Sequence, residues 1–265
     1  MKTVLTIAGS DCSGGAGIQA DLKTVEAHRL YGMSVITALT AQNTTGVYGV
    51  APTEPDFVAR QIDCVFEDIR PDAVKLGMLV SAEIIEVVAD RMRAHHAANI
   101  VLDPVMVSTS GHRLLSPDAI DAMTEQLLPM AQLITPNLAE AAVFCGFPIH
   151  NRTDMLRAAN ALSLKTAGDV LIKGGHLQDS ADDLLLSDTQ ERWFNQLRVE
   201  NSNTHGTGCT LSSAIACQLA QGHSVVHSVE LAKHYLTACL QAGLDLGHGS
   251  GPLQHSIPPE HCAQS

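Results

Sequence analysis

The sequence predicts an α/β protein in three layers, a mostly parallel central sheet with helices on both faces, folded as a single domain over residues 1–265. Two patterns lead there. Short apolar runs of strand length alternate with amphipathic stretches of helix length, and such alternation folds as right-handed crossovers over a parallel sheet. Glycine and polar residues gather just after the apolar runs, which is where α/β sheets bind their ligands. No low-complexity linker, composition shift or internal repeat divides the chain.

Six runs read as strands of that sheet: Val4–Ala8, Ser34–Ala41, Ala73–Leu76, Ile100–Asp103, Leu133–Thr135 and Val170–Lys173. The helices between them carry start signals. Thr53-Glu54-Pro55-Asp56 reads as a capping box, and Val58, Ile62, Val65 and Ile69 follow at helical spacing. Ser116-Pro117 supplies an N-cap with proline in the first turn, and Ile120, Met123 and Leu127 form the buried stripe behind it. Ser81 and Thr153 are further N-cap candidates. Asp183–Ser187 and Arg192–Val199 break the rhythm and read as a strand pair with no helix between them. Two helices, Thr207–Ala220 and Ser224–Leu246, follow, and the chain from about 247 to 265 forms a tail.

Composition narrows the function. Of 265 residues, 45% are hydrophobic, enough for a real core. Lys and Arg number 16 against 28 Asp and Glu, a net charge of −12. Such a surface repels phosphate backbones and anionic lipid, so neither a nucleic-acid nor a membrane partner is expected. A small anion is not excluded, because a few peptide N–H groups and one lysine make a local positive site. Seven cysteines with no CxxC pair argue against a disulfide framework and for a cytoplasmic setting. The longest strictly apolar run, Ala141–Cys145, falls far short of the ~20 residues that span a bilayer. His223 and His227 stand one helical turn apart, but Ser224 follows His223 where a zinc-protease motif has glutamate.

Two glycine motifs are tempting and fail on their second half. Gly15-Ala16-Gly17-Ile18-Gln19-Ala20 matches a dinucleotide fingerprint, yet Thr40-Ala41-Gln42-Asn43 carries no carboxylate for the ribose. Gly9 to Gly14 begins like a phosphate loop, but Gly15-Ala16 replaces its Lys-Ser/Thr. Asn203-Thr204-His205-Gly206-Thr207-Gly208-Cys209 is more specific. It precedes an apolar helix, so the N–H groups of Gly206, Thr207, Gly208 and Cys209 can converge on a phosphate at the positive helix end. The plainer alternative is a glycine loop that merely starts a helix. Cys209 falls in the first turn, where the helix terminus lowers a thiol pKa toward that of a usable base; the alternative is a small buried thiol.

Asn137 and Glu140 share a face in a first helical turn. They would hold magnesium through its waters, or simply form a capping box. Lys173 ends a buried strand, where an unpaired ammonium is costly and calls for an anion such as a nucleotide phosphate. Anion hole, magnesium pair and lysine at the strand ends of one sheet are the parts that phosphoryl transfer uses.

The segments LTIAGSDCSGGAGIQADLKT (5–24), VITALTAQNTTGV (35–47), KLGML (75–79), DPVMV (103–107), LITPNLAEA (133–141), KGGH (173–176) and NTHGTGCTLSSA (203–214) resemble the ribokinase-like superfamily. Within it they are most similar to the hydroxymethylpyrimidine/phosphomethylpyrimidine kinases of thiamine biosynthesis. The resemblance implies the ribokinase-like fold and ATP- and Mg2+-dependent phosphorylation of an aminopyrimidine alcohol, 4-amino-5-hydroxymethyl-2-methylpyrimidine. It also implies a second transfer onto the monophosphate. Carried over by position, Gln42 reads the pyrimidine, Met78 and Val105 contact its ring, and Gly9 and Asp21 lie on the substrate side. Asn137 and Glu140 match the magnesium pair. Lys173, Asn203, Thr207 and Gly208 fall to the nucleotide, and Cys209 acts with Gly206, Gly208 and Lys173 on the transferring group. Cys209 stands where sugar kinases of the superfamily carry an aspartate base. Thr109 and Ser202 replace lysines of the family pattern, with His112 and Arg113 as nearby substitutes, which bears on the second transfer most. The competing readings are a pyridoxal kinase of the same superfamily, a non-catalytic binding protein that keeps the fold, and an NAD-dependent oxidoreductase. A homodimer is left open.

Overall fold

The computed structural model describes residues 1–107, 115–175, 182–195, 199, 201 and 203–259. In chain order its elements are β1 (Thr3–Asp11), α1 (Gly17–Ala27), β2 (Tyr31–Asn43), β3 (Gly46–Pro52), α2 (Pro55–Asp68), β4 (Ala73–Leu76), α3 (Ala82–Ala94) and β5 (Ile100–Leu102). Then come α4 (Pro117–Ala122), which runs on through a π turn and a 3-10 turn, β6 (Leu133–Ile134), α5 (Leu138–Cys145), α6 (Arg152–Ser163) and β7 (Asp169–Ile172). The chain closes with β8 (Asp183–Ser187), β9 (Gln190–Phe194), α7 (Thr207–Ala220) and α8 (Val225–Gln241).

The strands form one sheet in the order β3-β2-β1-β4-β5-β6-β7-β8-β9. From β2 to β7 every pairing is parallel, and the margins, β3 on one side and β8–β9 on the other, are antiparallel. Alternating side chains feed two separate cores, as the period of two along a strand requires. Leu5, Ile7, Leu76 and Leu102 pack under α2 to α6, whereas Val4, Ala73, Val101 and Leu171 pack under α1, α7 and α8. This is the expected three-layer architecture. α7 is its most enclosed helix, with every residue from Thr210 to Ala220 buried. Small side chains (alanine, serine, cysteine) let it lie close to the sheet, and the packing fixes where its N-terminus points.

Several boundaries follow different physics from that expected. β3 is an unforeseen strand: its residues are exposed or half-buried, so no alternating pattern marks it. The capping box at 53–56 does not form. Glu54 is the N-cap without a side-chain bond, and Pro55 in the first turn sets the helix start instead. On the same helix Phe66 takes the buried place expected of Ile69, which lies at the C-cap and is exposed. Ser81 does cap α3. Thr153 does not cap α6; Asn151 does, its Oδ1 accepting the Asp154 N–H at 2.9 Å. The β8–β9 hairpin turns at Asp188 and Thr189, both at positive φ (48° and 65°), and β9 therefore starts earlier than Arg192. α8 stops at Gln241, five residues before the expected end, where Gly243 takes a φ of 66°.

Candidate active site

A cavity of about 700 Å³ opens beyond the carboxyl ends of the strands, as the topology of an α/β sheet requires. Its floor is the N-terminus of α7. Gly206 is the N-cap at a φ of 84°, a left-handed conformation that favours glycine, and a Cβ there would lie 2.0 Å from the Gly15 carbonyl oxygen. The Thr207 N–H donates to the Thr204 carbonyl within the loop at 3.3 Å. The expected four-amide cluster therefore lacks that N–H. The first-turn N–H groups of Gly208 and Cys209 have no acceptor within a helix and stand at its positive end.

Lys173 meets this turn from β7. A Cβ on Gly208 would lie 3.4 Å from both the Lys173 Nζ and the Asp103 Oδ2. The lysine is not the unpaired ammonium that the sequence suggested, because its Nζ donates to Asp103 Oδ1 at 2.7 Å. Burial opposes the charge on Lys173, but the Asp103 and Glu140 carboxylates outweigh it and raise its pKa. Burial likewise opposes ionisation of Asp103, and the Lys173 and Lys75 ammonium groups override it, so its pKa falls. The Thr135 hydroxyl donates to Asp103 Oδ1 at 3.3 Å, and the Ser212 hydroxyl, which donates to the Gly208 carbonyl at 2.9 Å, lies 3.3 Å from Oδ2.

A second pair lies deeper. Lys75, fully buried on β4, donates to both oxygens of Asp21 at 3.0 and 2.9 Å. Thr6 and Ser213 hydroxyls complete the Asp21 shell at 2.6 and 2.8 Å. Asp21 therefore does not line the cavity: it is fully buried behind the wall, and Lys75 faces the space in its place. Asn203 does not line it either. Its carboxamide accepts the Gly251 N–H at 2.9 Å and donates to the Leu244 carbonyl at 2.8 Å, tying down the segment after α8. Lys75 and Asp103 escaped the sequence reading as site residues. A lysine inside a strand otherwise made of Ala, Val and Leu was the available signal for one, and an aspartate at a strand end for the other.

The Cys209 thiol points into this set of charges. The surrounding protein desolvates it and, with the Asp21 and Asp103 carboxylates, pushes its pKa up to about 11 against the pull of Lys75 and a Gly17 N–H. The lowering expected from the helix terminus is overcome. Asn137 and Glu140 do form the capping box of α5, each backbone N–H donating to the other side chain at 2.8 and 2.9 Å. Burial pushes Glu140 up to about 7, Asp103 adding to the rise and Lys173 opposing it.

On the opposite side Gly9, Met78 and Val105 make an apolar wall, and Met78 packs so close that a Cβ on Gly9 would lie 2.3 Å from its Cε. Gln42, half-buried near the end of β2, has one carboxamide terminus 3.1 Å from His205 Nε2 and the other 3.2 Å from Thr40 Oγ1. His205 Nε2 lies 2.8 Å from Asp11 Oδ2. Thr109, His112, Arg113 and Ser202 lie outside the described residues.

The chain matches known proteins along nearly its whole length. The model of a family described as phosphomethylpyrimidine kinase matches residues 11–254. A hydroxymethylpyrimidine/phosphomethylpyrimidine kinase of Salmonella typhimurium is 51% identical over 256 residues, covering 95% of this chain and 96% of that one. The thiamine biosynthesis bifunctional protein ThiED of Geobacter sulfurreducens is 47% identical over 97% of this chain and 53% of its own length. Among solved structures, pyridoxal kinase from Staphylococcus aureus in complex with ADP superposes with a TM-score of 0.90 at 37% identity, covering 97% and 94% of the two chains.

Proposed function

The chain belongs to the phosphomethylpyrimidine kinase family, and we propose that it phosphorylates 4-amino-5-hydroxymethyl-2-methylpyrimidine with ATP and then phosphorylates the monophosphate to the diphosphate for thiamine biosynthesis. One observation carries this reading. The first turn of α7, the Lys173–Asp103 pair and Gln42 open into the same cavity, so phosphate-binding and pyrimidine-binding chemistry share one space.

The geometry divides the labour. Gly208 and Cys209 N–H groups, with the Lys173 ammonium, stabilise the charge spread over the transferring phosphoryl oxygens. The Gln42 carboxamide offers an acceptor and a donor to the amino group and adjacent ring nitrogen of the pyrimidine. Met78 and Val105 hold the ring's faces and leave its hydroxymethyl group toward α7. In a loose transition state the hydroxyl proton leaves late, so a thiol pushed up to about 11 is a weak contributor as base, and the amides carry more of the rate. The donor set suits Mg2+ that keeps most of its waters: Asn137 and Glu140 already accept backbone N–H groups and have only part of their oxygens left. A cation beside Glu140 would also favour the charged carboxylate that burial resists. Bound there, the ion neutralises charge on the donor's phosphates.

Among the described residues no helix is long and apolar enough to cross a membrane. No disulfide joins Cys12, Cys64, Cys145, Cys209, Cys217 or Cys239, and a chain that keeps its cysteines as thiols suits the cytoplasmic setting that is part of this proposal. The runner-up is pyridoxal phosphorylation, favoured by the likeness to the Staphylococcus aureus enzyme. Counting phosphates transferred from ATP to each alcohol decides. Two phosphates per aminopyrimidine is the expected result; one restricts the proposal to the first step, and transfer to pyridoxal alone replaces it.

A further inference from the structure

The hydrogen bonds around Gln42 leave its amide one orientation. Asp11 Oδ1 accepts the Ser13 N–H and hydroxyl at 2.9 and 2.7 Å, and Oδ2 accepts the Gly15 and Ala16 N–H groups at 3.1 and 2.9 Å. Burial opposes its charge, but these donors and His205 hold the pKa down to about 2, so Asp11 is an acceptor only. His205 Nε2, 2.8 Å away, must carry the proton and donate it to Asp11. A nitrogen that donates has no lone pair left. The Gln42 terminus 3.1 Å from it is therefore the oxygen, since an NH2 there would oppose N–H to N–H.

The other end agrees independently. Thr40 Oγ1 donates its single proton to the Ser10 carbonyl at 2.9 Å, so it has only acceptor capacity for Gln42 at 3.2 Å, and the terminus facing it is the NH2. After both contacts the carboxamide keeps one oxygen lone pair and one N–H. These match an amino group beside an unprotonated ring nitrogen. A 4-oxo pyrimidine presents the reverse order and would need the flipped amide, which meets an N–H at His205 and an oxygen without a proton at Thr40.

The geometry points to His205 and Thr40 as positioning residues, with Asp11 behind His205, that lock Gln42 in the orientation which selects a 4-amino over a 4-oxo pyrimidine. This rests on Gln42 reading the pyrimidine edge, and the experiment separates the two. The ratio of kcat/KM for 4-amino-5-hydroxymethyl-2-methylpyrimidine to that for its 4-oxo analogue is measured in four proteins. Wild type shows a strong preference for the amino compound, and Gln42→Leu removes most of it; a preference that survives Gln42→Leu overturns the reading of Gln42. With that reading standing, His205→Leu and Thr40→Val each lower the ratio by about tenfold, the amide now being free to turn. Any general damage to the site slows both substrates and cancels in the ratio. Thr40→Val is nearly isosteric and carries the test alone if His205→Leu does not fold. An unchanged ratio in Thr40→Val, and in His205→Leu where it folds, overturns the proposal.

Discussion

Of the lysine–aspartate pairs at the cavity, Lys75–Asp21 and Lys173–Asp103 differ most, and the contrast between them separates structure from chemistry. Lys75 and Asp21 are both 0% exposed and joined by two hydrogen bonds. Lys173 keeps 15% exposure, makes one bond to Asp103, and lies beside the first turn of α7. The sealed pair ties α1 and β4 together and reaches α7 through Ser213. The open pair has a free side for a phosphate. Like chemistry at two places on one sheet thus serves two ends, and the difference lies in what surrounds each charge rather than in the charges themselves.

The largest effect should come from breaking the sealed pair. Lys75→Met leaves the Asp21 carboxylate buried with two hydroxyls, and the expected loss in denaturant unfolding is roughly 3–5 kcal/mol. Asp21→Asn in the same protein should recover most of it, because no uncompensated charge then remains. A Lys75→Met protein as stable as wild type breaks the comparison. Lys173→Met should invert the pattern. Asp103 retains the Thr135 hydroxyl, the adjacent Ser212 hydroxyl and the nearby Lys75 charge, so stability falls less, while kcat falls about 10²–10³-fold with the loss of a charge at the transferring group. Equal kcat in the two proteins at matched folding contradicts the division.

Asp11 sharpens the contrast with a third buried carboxylate, one partnered mainly by amides. Its pKa is held near 2 against an ordinary 3.8. A lowered carboxylate pKa gives stability that is present above the unfolded value and is lost as pH falls through the folded one, here from about 4 to 2, worth about 2 kcal/mol. Acid unfolding of Asp11→Asn should be flatter than wild type across that window and alike above it in slope. An identical slope in the window removes Asp11 from the acid response. The smallest effect belongs to Cys209. With the thiol pushed up to about 11, Cys209→Ala should lower kcat by about tenfold, the low end of what a base contributes being ~10²-fold. A loss near ~10⁴-fold, with alkylation of Cys209 already complete near neutral pH, restores the thiolate as base.

Local physics was legible in the chain and partnership was not. Ala73–Leu76, Asp183–Ser187 and Thr207–Ala220 have the bounds their patterns predict, because each is a continuous run with clear punctuation. β3 went unseen because an exposed margin strand has no apolar rhythm. Thr53-Glu54 imitated a capping box, yet proline alone fixes that helix start. In the site, Gly206, Gly208, Cys209, Lys173 and Gln42 all reach the cavity, since strand ends and helix starts are local features. The partners that set their charge come from elsewhere in the chain. Asp103 lies 70 residues from Lys173, Asp21 lies 54 from Lys75, and Asp11 lies 194 from His205. A lysine at a strand end therefore read as unpaired, and Asp21 as a residue of the substrate side.

The most direct test is a crystal structure with ADP, Mg2+, the aminopyrimidine alcohol and aluminium fluoride, which mimics the planar group in flight. The fluoride plane should sit about 3 Å from the Gly208 and Cys209 N–H groups and the Lys173 ammonium, with the alcohol oxygen in line behind it. A fluoride plane bound with none of residues 206–209 in contact contradicts the account.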